Sequence, residues 1–254
     1  MGLSSNIYTA GAIRLATTTS LDNSGLLDYL LPYFEEKYGI KVYVISVGTG
    51  RALKLGENGD VDLILVHAPE AEEKFMEKSF GINRRTFMFN YFVVVGPVED
   101  PAKIRETKTA LRAFQQIVET KNTFVSRGDN SGTHKKELSI WKEIKLIPKG
   151  SWYLETGQGM GATLLIANEK NGYCLVDEGT FIAYQDKIDL IGLSKSDSLL
   201  KNPYSVIAVN PVKHPQAKYK EAGLFINWLT SKETKEMIRD FKIRGKRLFY
   251  PVEG

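Results

Sequence analysis

Apolar residues follow two spacings that take turns along the whole chain: short unbroken runs, and stretches in which they recur at i, i+3 and i+4. Residues 13–17, 42–47 and 63–66 predict strands, and the last, Leu63-Ile64-Leu65-Val66, has no polar position, as suits a strand buried on both faces. A longer strand is expected over 87–95, stopping at Gly96-Pro97, and further strands over 123–126, 173–176, 188–193 and 204–209. Leu27, Leu30, Leu31 and Phe34 predict a helix closed by Gly39. Helices are also expected from Arg51, over 70–78, through Ala110, Leu111, Ala113, Phe114, Ile117 and Val118, and from residue 134 to about Ile144. A helix through Ala167, a turn or two over 178–185, and two C-terminal helices complete the set. Ala222, Phe225, Ile226 and Leu229 line one of that last pair, and Met237, Ile238 and Phe241 the other.

Repeated β-α-β order predicts an α/β fold with mainly parallel sheets flanked by helices. Breaks near Gly96-Pro97 and over 202–210 divide the 254 residues into two lobes, with the chain crossing out once and returning once. The first lobe would hold residues 1–95 plus 205–254, and the second 96–204.

A hydrophobic content of 43% with 25% charged residues fits a chain that packs a core and excludes a disordered one. Cys174 is the only cysteine, so an internal disulfide and a thiolate metal centre are both excluded. In Tyr173-Cys174-Leu175-Val176 it reads as a small buried hydrophobe. The net charge of +4 is spread out, with no dense basic run beside aromatics, so nucleic acid is not an expected partner. His67, His134 and His214 have no metal-ligand spacing, and no metal or cofactor is expected. No apolar run reaches the roughly 18 residues of a membrane span. Met1-Gly2-Leu3-Ser4-Ser5-Asn6 lacks a basic-then-apolar signal pattern, which leaves a cytoplasmic protein and a trimmed signal both open.

The strand-to-helix corners carry the chemistry. Residues 17–25, Ser46-Val47-Gly48-Thr49-Gly50, residues 126–133 and 157–163 are rich in hydroxyls and glycine. In open α/β sheets ligands sit at such corners, beyond the carboxyl ends of the strands. The loop Ser126-Arg127-Gly128-Asp129-Asn130-Ser131-Gly132-Thr133-His134 offers a guanidinium, hydroxyls and free N–H groups where a helix begins, a combination that favours an anion. Each corner also has a plain reading as a helix cap or tight turn. Taken together they describe a site for a small oxyanion. One arginine among neutral donors suits a dehydrated dianion without a proton of its own, such as tungstate, molybdate or sulfate, over protonated phosphate. Asp129 would either orient Arg127 or accept a ligand proton, and the orienting role is the preferred one.

The same residues resemble a known family. Ala16-Thr17-Thr18-Thr19-Ser20, Val47-Gly48-Thr49-Gly50, Asp62-Leu63-Ile64-Leu65-Val66-His67-Ala68 and the loop from Ser126 to His134 are similar to tungstate-binding proteins of TupA type, the substrate-binding components of ABC importers. Asn90-Tyr91-Phe92-Val93-Val94-Val95-Gly96-Pro97, Gly159-Met160-Gly161-Ala162-Thr163-Leu164 and Asp177-Glu178-Gly179-Thr180-Phe181 extend the resemblance over nearly the whole chain. It implies a two-lobed type II periplasmic-binding-protein fold, with a ligand cleft between lobes that closes by a hinge. It further implies an extracytoplasmic, monomeric, non-enzymatic receptor that delivers tungstate, or secondarily molybdate, to an ABC permease. Thr18, Thr19, Ser20 and Arg127 are the implied contacts, with Thr49, Ser131 and Thr133 as further donors and Asp129 behind Arg127. The alternatives are a phosphate or sulfate receptor of the same fold and, from another class, a hydrolase using Ser131 and His134.

Overall fold

The computed structural model describes residues 11–194 and 197–253. The six N-terminal residues considered for a signal lie outside that range. The chain forms two compact units. Unit 1 takes the described residues up to Phe89 and from Pro203 onward, and unit 2 runs Asn90–Asn202.

Unit 1 opens with β1 (Gly11–Thr18), α1 (Thr19–Asp22), α2 (Leu26–Tyr38), β2 (Ile40–Val47), α3 (Thr49–Asn58), β3 (Leu63–Val66), α4 (Pro69–Glu77) and β4 (Gly81–Gly96). β1 pairs in parallel with β2 and with β3, which makes it the middle of a parallel trio. Its Ile13, Leu15 and Ala16 are fully buried, as are all four residues of β3. α2 buries Leu26, Leu27, Leu30, Leu31 and Phe34 along one stripe, and ends where Gly39 takes φ 64°, a conformation glycine adopts without a Cβ penalty. Asp62, almost fully buried, accepts the Arg14 N–H at 2.7 Å and the Lys218 N–H at 3.0 Å, so it ties the first strand to the C-terminal segment.

β4 continues into unit 2, which then contains α5 (Ala110–Glu119), β5 (Phe124–Ser126), α6 (Gly132–Glu143), β6 (Tyr153–Glu155), α7 (Met160–Glu169), β7 (Cys174–Asp177), α8 (Glu178–Tyr184) and β8 (Ile191–Gly192). β5 pairs in parallel with β6, and Phe124 bridges in parallel to Tyr173 beside β7. β7 and β8 pair antiparallel with the second half of β4. The core stacks Trp141 of α6 against Phe114 at 4.5 Å and Phe124 at 5.2 Å, all nearly or fully buried. Tyr173 donates to Asp100 Oδ1 at 2.8 Å, and burial raises its phenol.

β9 (Lys201–Val209) returns the chain to unit 1, where α9 (Tyr219–Leu229), α10 (Lys232–Asp240), the strand pair β10 (Lys242–Ile243) and β11 (Lys246–Arg247), and β12 (Tyr250–Pro251) follow. The sheet order there is β12-β4-β9-β3-β1-β2. β9 lies antiparallel to β3, and β12 antiparallel to β4. The α/β class and the parallel pairs are as the sequence predicts. Among the described residues, apart from the β10–β11 hairpin, each antiparallel pair involves one of the two crossing strands, β4 or β9.

Three expectations need correction. β4 begins at Gly81, well before residue 87, because Asn83, Arg84, Arg85 and Thr86, none of them buried, hide the strand in a polar run. Arg84 there reaches Glu72 of α4 at 2.7 Å. The strand expected over 188–193 shrinks to Ile191–Gly192, since the Asp189 N–H bonds the Asn168 side chain at 2.7 Å instead of a neighbouring strand. Phe241 does not line α10. It caps that helix in an extended conformation and packs its ring 5.4 Å from that of Tyr29.

Cys174 is fully buried in β7, and burial together with the negative charge of Glu137 pushes its thiol well up. An aromatic disulfide reagent at neutral pH is therefore expected to leave the native protein unlabelled and to label one thiol once denaturant unfolds unit 2. Prompt labelling of the native protein would contradict the packing of β7.

Candidate functional site

In unit 1 the register of the parallel trio brings three strand ends to one edge. Thr18 pairs with Val47 and Thr17 with Leu65, so the turns after β1, β2 and β3 open side by side. They carry Thr19 and Ser20, Gly48 and Thr49, and His67. The hydroxyls divide by role. Thr17 donates to the Leu65 carbonyl at 3.0 Å and is fully buried. Thr18 is the cap of α1, its oxygen accepting the Leu21 N–H at 3.4 Å and lying 3.3 Å from Ser20 Oγ. Thr19 and Ser20 are exposed, and the Thr19 and Thr49 hydroxyls make no side-chain hydrogen bond among the described residues. α3 starts at Gly48 without a side-chain cap, which leaves its first N–H groups open. His67 stacks on Tyr204 at 4.7 Å, and its Nε2 lies 3.5 Å from Ser20 Oγ.

Unit 2 has an edge of the same kind. β5 and β6 end together at Ser126 and Glu155, and the helices after β5, β6 and β7 begin at the caps Ser131, Gly159 and Asp177. Asp129 shapes the first corner. Its Oδ2 accepts from Arg127 Nε at 2.7 Å and its Oδ1 from the Ser131 N–H at 3.0 Å. Partial burial pushes the Asp129 carboxyl up, but the hydroxyl and N–H of Ser131 and the Arg127 guanidinium outweigh it and hold the group below the usual carboxylate range. Arg127 is thereby fixed by Nε alone, and its two Nη nitrogens have no hydrogen-bond partner among the described residues. Thr133 is buried, and its hydroxyl likewise makes no hydrogen bond among them. Gly128 takes φ 64°, and a Cβ there would come 3.0 Å from that of Glu155.

Two supports of this loop leave no mark in the sequence pattern. Thr156 donates to the Arg127 carbonyl at 3.2 Å and bonds Thr163 at 2.8 Å, stapling the loop to the start of α7. Beneath it, the buried Glu137 accepts from Ser126 at 2.7 Å, Tyr153 at 2.7 Å and Trp141 at 2.9 Å. Burial raises the Glu137 carboxyl, with those three donors and His134 acting in the opposite sense. Asp177 has both oxygens on Thr180, at 2.9 and 2.7 Å, and so serves as a helix cap.

Ser131 and His134 do not form a nucleophile–base pair. Ser131 Oγ accepts the His134 backbone N–H at 3.3 Å, while the ring Nδ1 accepts the Asn130 N–H at 3.0 Å. Among the described residues no group of His, Cys, Asp and Glu could hold a metal ion, and no helix is long and apolar enough to cross a membrane.

Known proteins resemble the chain over most of its length. Residues 6–233 match the model of the PBP superfamily domain. The tungstate-binding protein TupA of Peptoclostridium acidaminophilum is 41% identical over 245 residues, which cover 95% of this chain and 86% of that protein. TupA of Campylobacter jejuni is 44% identical over 235 residues, 91% of this chain and 87% of that one. The solved structure of the tungstate-binding protein TupA from Desulfovibrio alaskensis superposes with a TM-score of 0.91 at 47% identity, covering 96% of this chain and 100% of that chain.

The Asp129 carboxyl carbon is expected to titrate below the ordinary aspartate midpoint of about 3.9 when followed by NMR. The order it lends the loop is then complete above that value and is lost as the pH falls through the depressed one. Titration at or above the ordinary midpoint would contradict the contacts to Ser131 and Arg127.

Proposed function

The chain belongs to the PBP superfamily and, within it, to the family of TupA-type tungstate-binding proteins, and from that membership we propose that it binds tungstate, with molybdate second, and delivers it to an ABC-type permease outside the cytoplasm. The observation that carries the reading is the Arg127 fork, tied back through Nε with both Nη nitrogens open, followed at the start of α6 by Thr133, a buried residue whose hydroxyl is unengaged. A tetrahedral dianion meets a planar fork with two oxygens at once. Its remaining oxygens need donors that add no further charge. Ser131, Thr133 and the open N–H groups of α6 supply them in unit 2; Thr18, Thr19, Ser20 and Thr49 supply them in unit 1.

Both Asp129 oxygens are already accepting, which favours its orienting role over that of a proton acceptor for a protonated ligand. The site would therefore discriminate by the ligand's protons as well as by its charge. The permease recognises the ligand-bound form. The protein acts as a monomeric receptor and carries out no chemistry on its ligand.

Calorimetric titration of the wild type and of Arg127→Ala with tungstate tests this function. One tight site is expected in the wild type. The substitution should weaken it by about 3 kcal/mol, roughly a hundredfold, because the single full charge is lost. Thr133→Val should cost about 1 kcal/mol as one neutral donor among several. Wild-type protein that ignores tungstate, or an alanine variant that binds it unchanged, would contradict the proposal.

A further inference from the structure

If residues 127–133 are the oxyanion loop, the loop has a lock that touches no ligand. Its backbone turns sharply, with Gly128 at φ 64° and Asn130 at φ 60°, and such a turn leaves N–H groups pointing inward. Two consecutive amides are held by two side chains: Ser131 N–H by Asp129 Oδ1 at 3.0 Å, and Asn130 N–H by His134 Nδ1 at 3.0 Å. An N–H donor requires a lone pair on Nδ1, so the ring is neutral with its proton on Nε2. That nitrogen is buried without a hydrogen-bond partner among the described residues, 4.0 Å from Glu155 Oε1.

We propose that His134 is a positioning residue of the oxyanion loop: its Nδ1 holds the Asn130 N–H, and with it the shape in which the Arg127 fork and the Ser131 and Thr133 hydroxyls meet the anion. The lock works only with a neutral ring. A second proton turns Nδ1 from acceptor to donor and sets it against the Asn130 N–H. Glu137 lies one turn further along α6, and Glu155 Oε1 lies 4.0 Å from Nε2. Asp129 is held by Arg127 and Ser131. Loss of the Nδ1 acceptor therefore lowers affinity for the oxyanion.

The test uses molybdate, which stays monomeric and doubly charged at micromolar concentration in weak acid, and three proteins: wild type, His134→Asn and His134→Leu. The Asn130 amide of each ligand-free protein is followed by NMR hydrogen exchange at neutral pH. It is expected to be protected in the wild type. His134→Asn places an amide oxygen where Nδ1 stood, so it should keep both that protection and the wild-type affinity for molybdate. His134→Leu fills the space without an acceptor and should leave the Asn130 amide unprotected. An Asn130 amide unprotected in the wild type, or a leucine variant that keeps both the protection and the wild-type affinity, would overturn the proposal. The amide readout needs no ligand and decides the lock by itself. Failure of the wild type to bind either metal oxyanion at neutral pH would instead overturn the reading of the loop as an oxyanion site.

Discussion

A doubly charged anion taken out of water loses solvation worth many kcal/mol, and only donors already fixed in place recover it. That constraint explains why the unit 2 corner is built around Asp129. A free arginine would spread its charge over many rotamers. Tied through Nε, the Arg127 guanidinium has one orientation and keeps its outer edge open. The same carboxylate orders the Ser131 N–H, so one residue sets both the cation and the start of the helix behind it. Its negative charge so near the proposed ligand has a cost, and the pairing with Arg127 offsets it.

Support extends outward from there in layers of neutral contacts. Thr156 fixes the Arg127 backbone, and Glu137 gathers Ser126, Trp141 and Tyr153 under the strand that delivers the loop. Trp141 and Phe124 tie that cluster into the aromatic core of unit 2. In unit 1 the same task falls to sheet register. Because β1, β2 and β3 run in parallel and end together, three turns open on one edge, two of them bearing hydroxyls and the third His67. Thr17 is consumed in holding that edge, Thr18 accepts the Leu21 N–H of α1 while keeping its own proton, and Thr19 and Thr49 are left as open hydroxyls.

What the sequence disclosed follows from the range of the forces involved. Leu63-Ile64-Leu65-Val66 and the Gly39 helix stop were legible because a local rule decides each. Residues 81–86 were not, since a strand start with four consecutive polar residues and Arg84 paired to Glu72 looks like a loop. Phe241 fits the helical spacing of its neighbours, yet its ring is better buried beside Tyr29 than on α10. At the proposed site the anion-seeking composition of the loop from Ser126 to His134 was visible, as was the preference for Asp129 as the partner of Arg127. The sorting of Thr17, Thr18 and Thr19 into internal and open hydroxyls depends on partners 3 to 48 residues away, and no spacing encodes it. Thr156, 29 residues from the carbonyl it holds, is hidden for the same reason.

One arginine among neutral donors, with no acceptor to spare, should select a dianion that carries no proton. The most direct measurement is a calorimetric series on the wild-type protein with tungstate, molybdate, sulfate and phosphate at one pH and ionic strength. Tight 1:1 binding of tungstate, with molybdate next and phosphate weakest, is the predicted order. Phosphate binding as tightly as tungstate would contradict it, because some group in the site, Asp129 first among them, would then be accepting the ligand's proton.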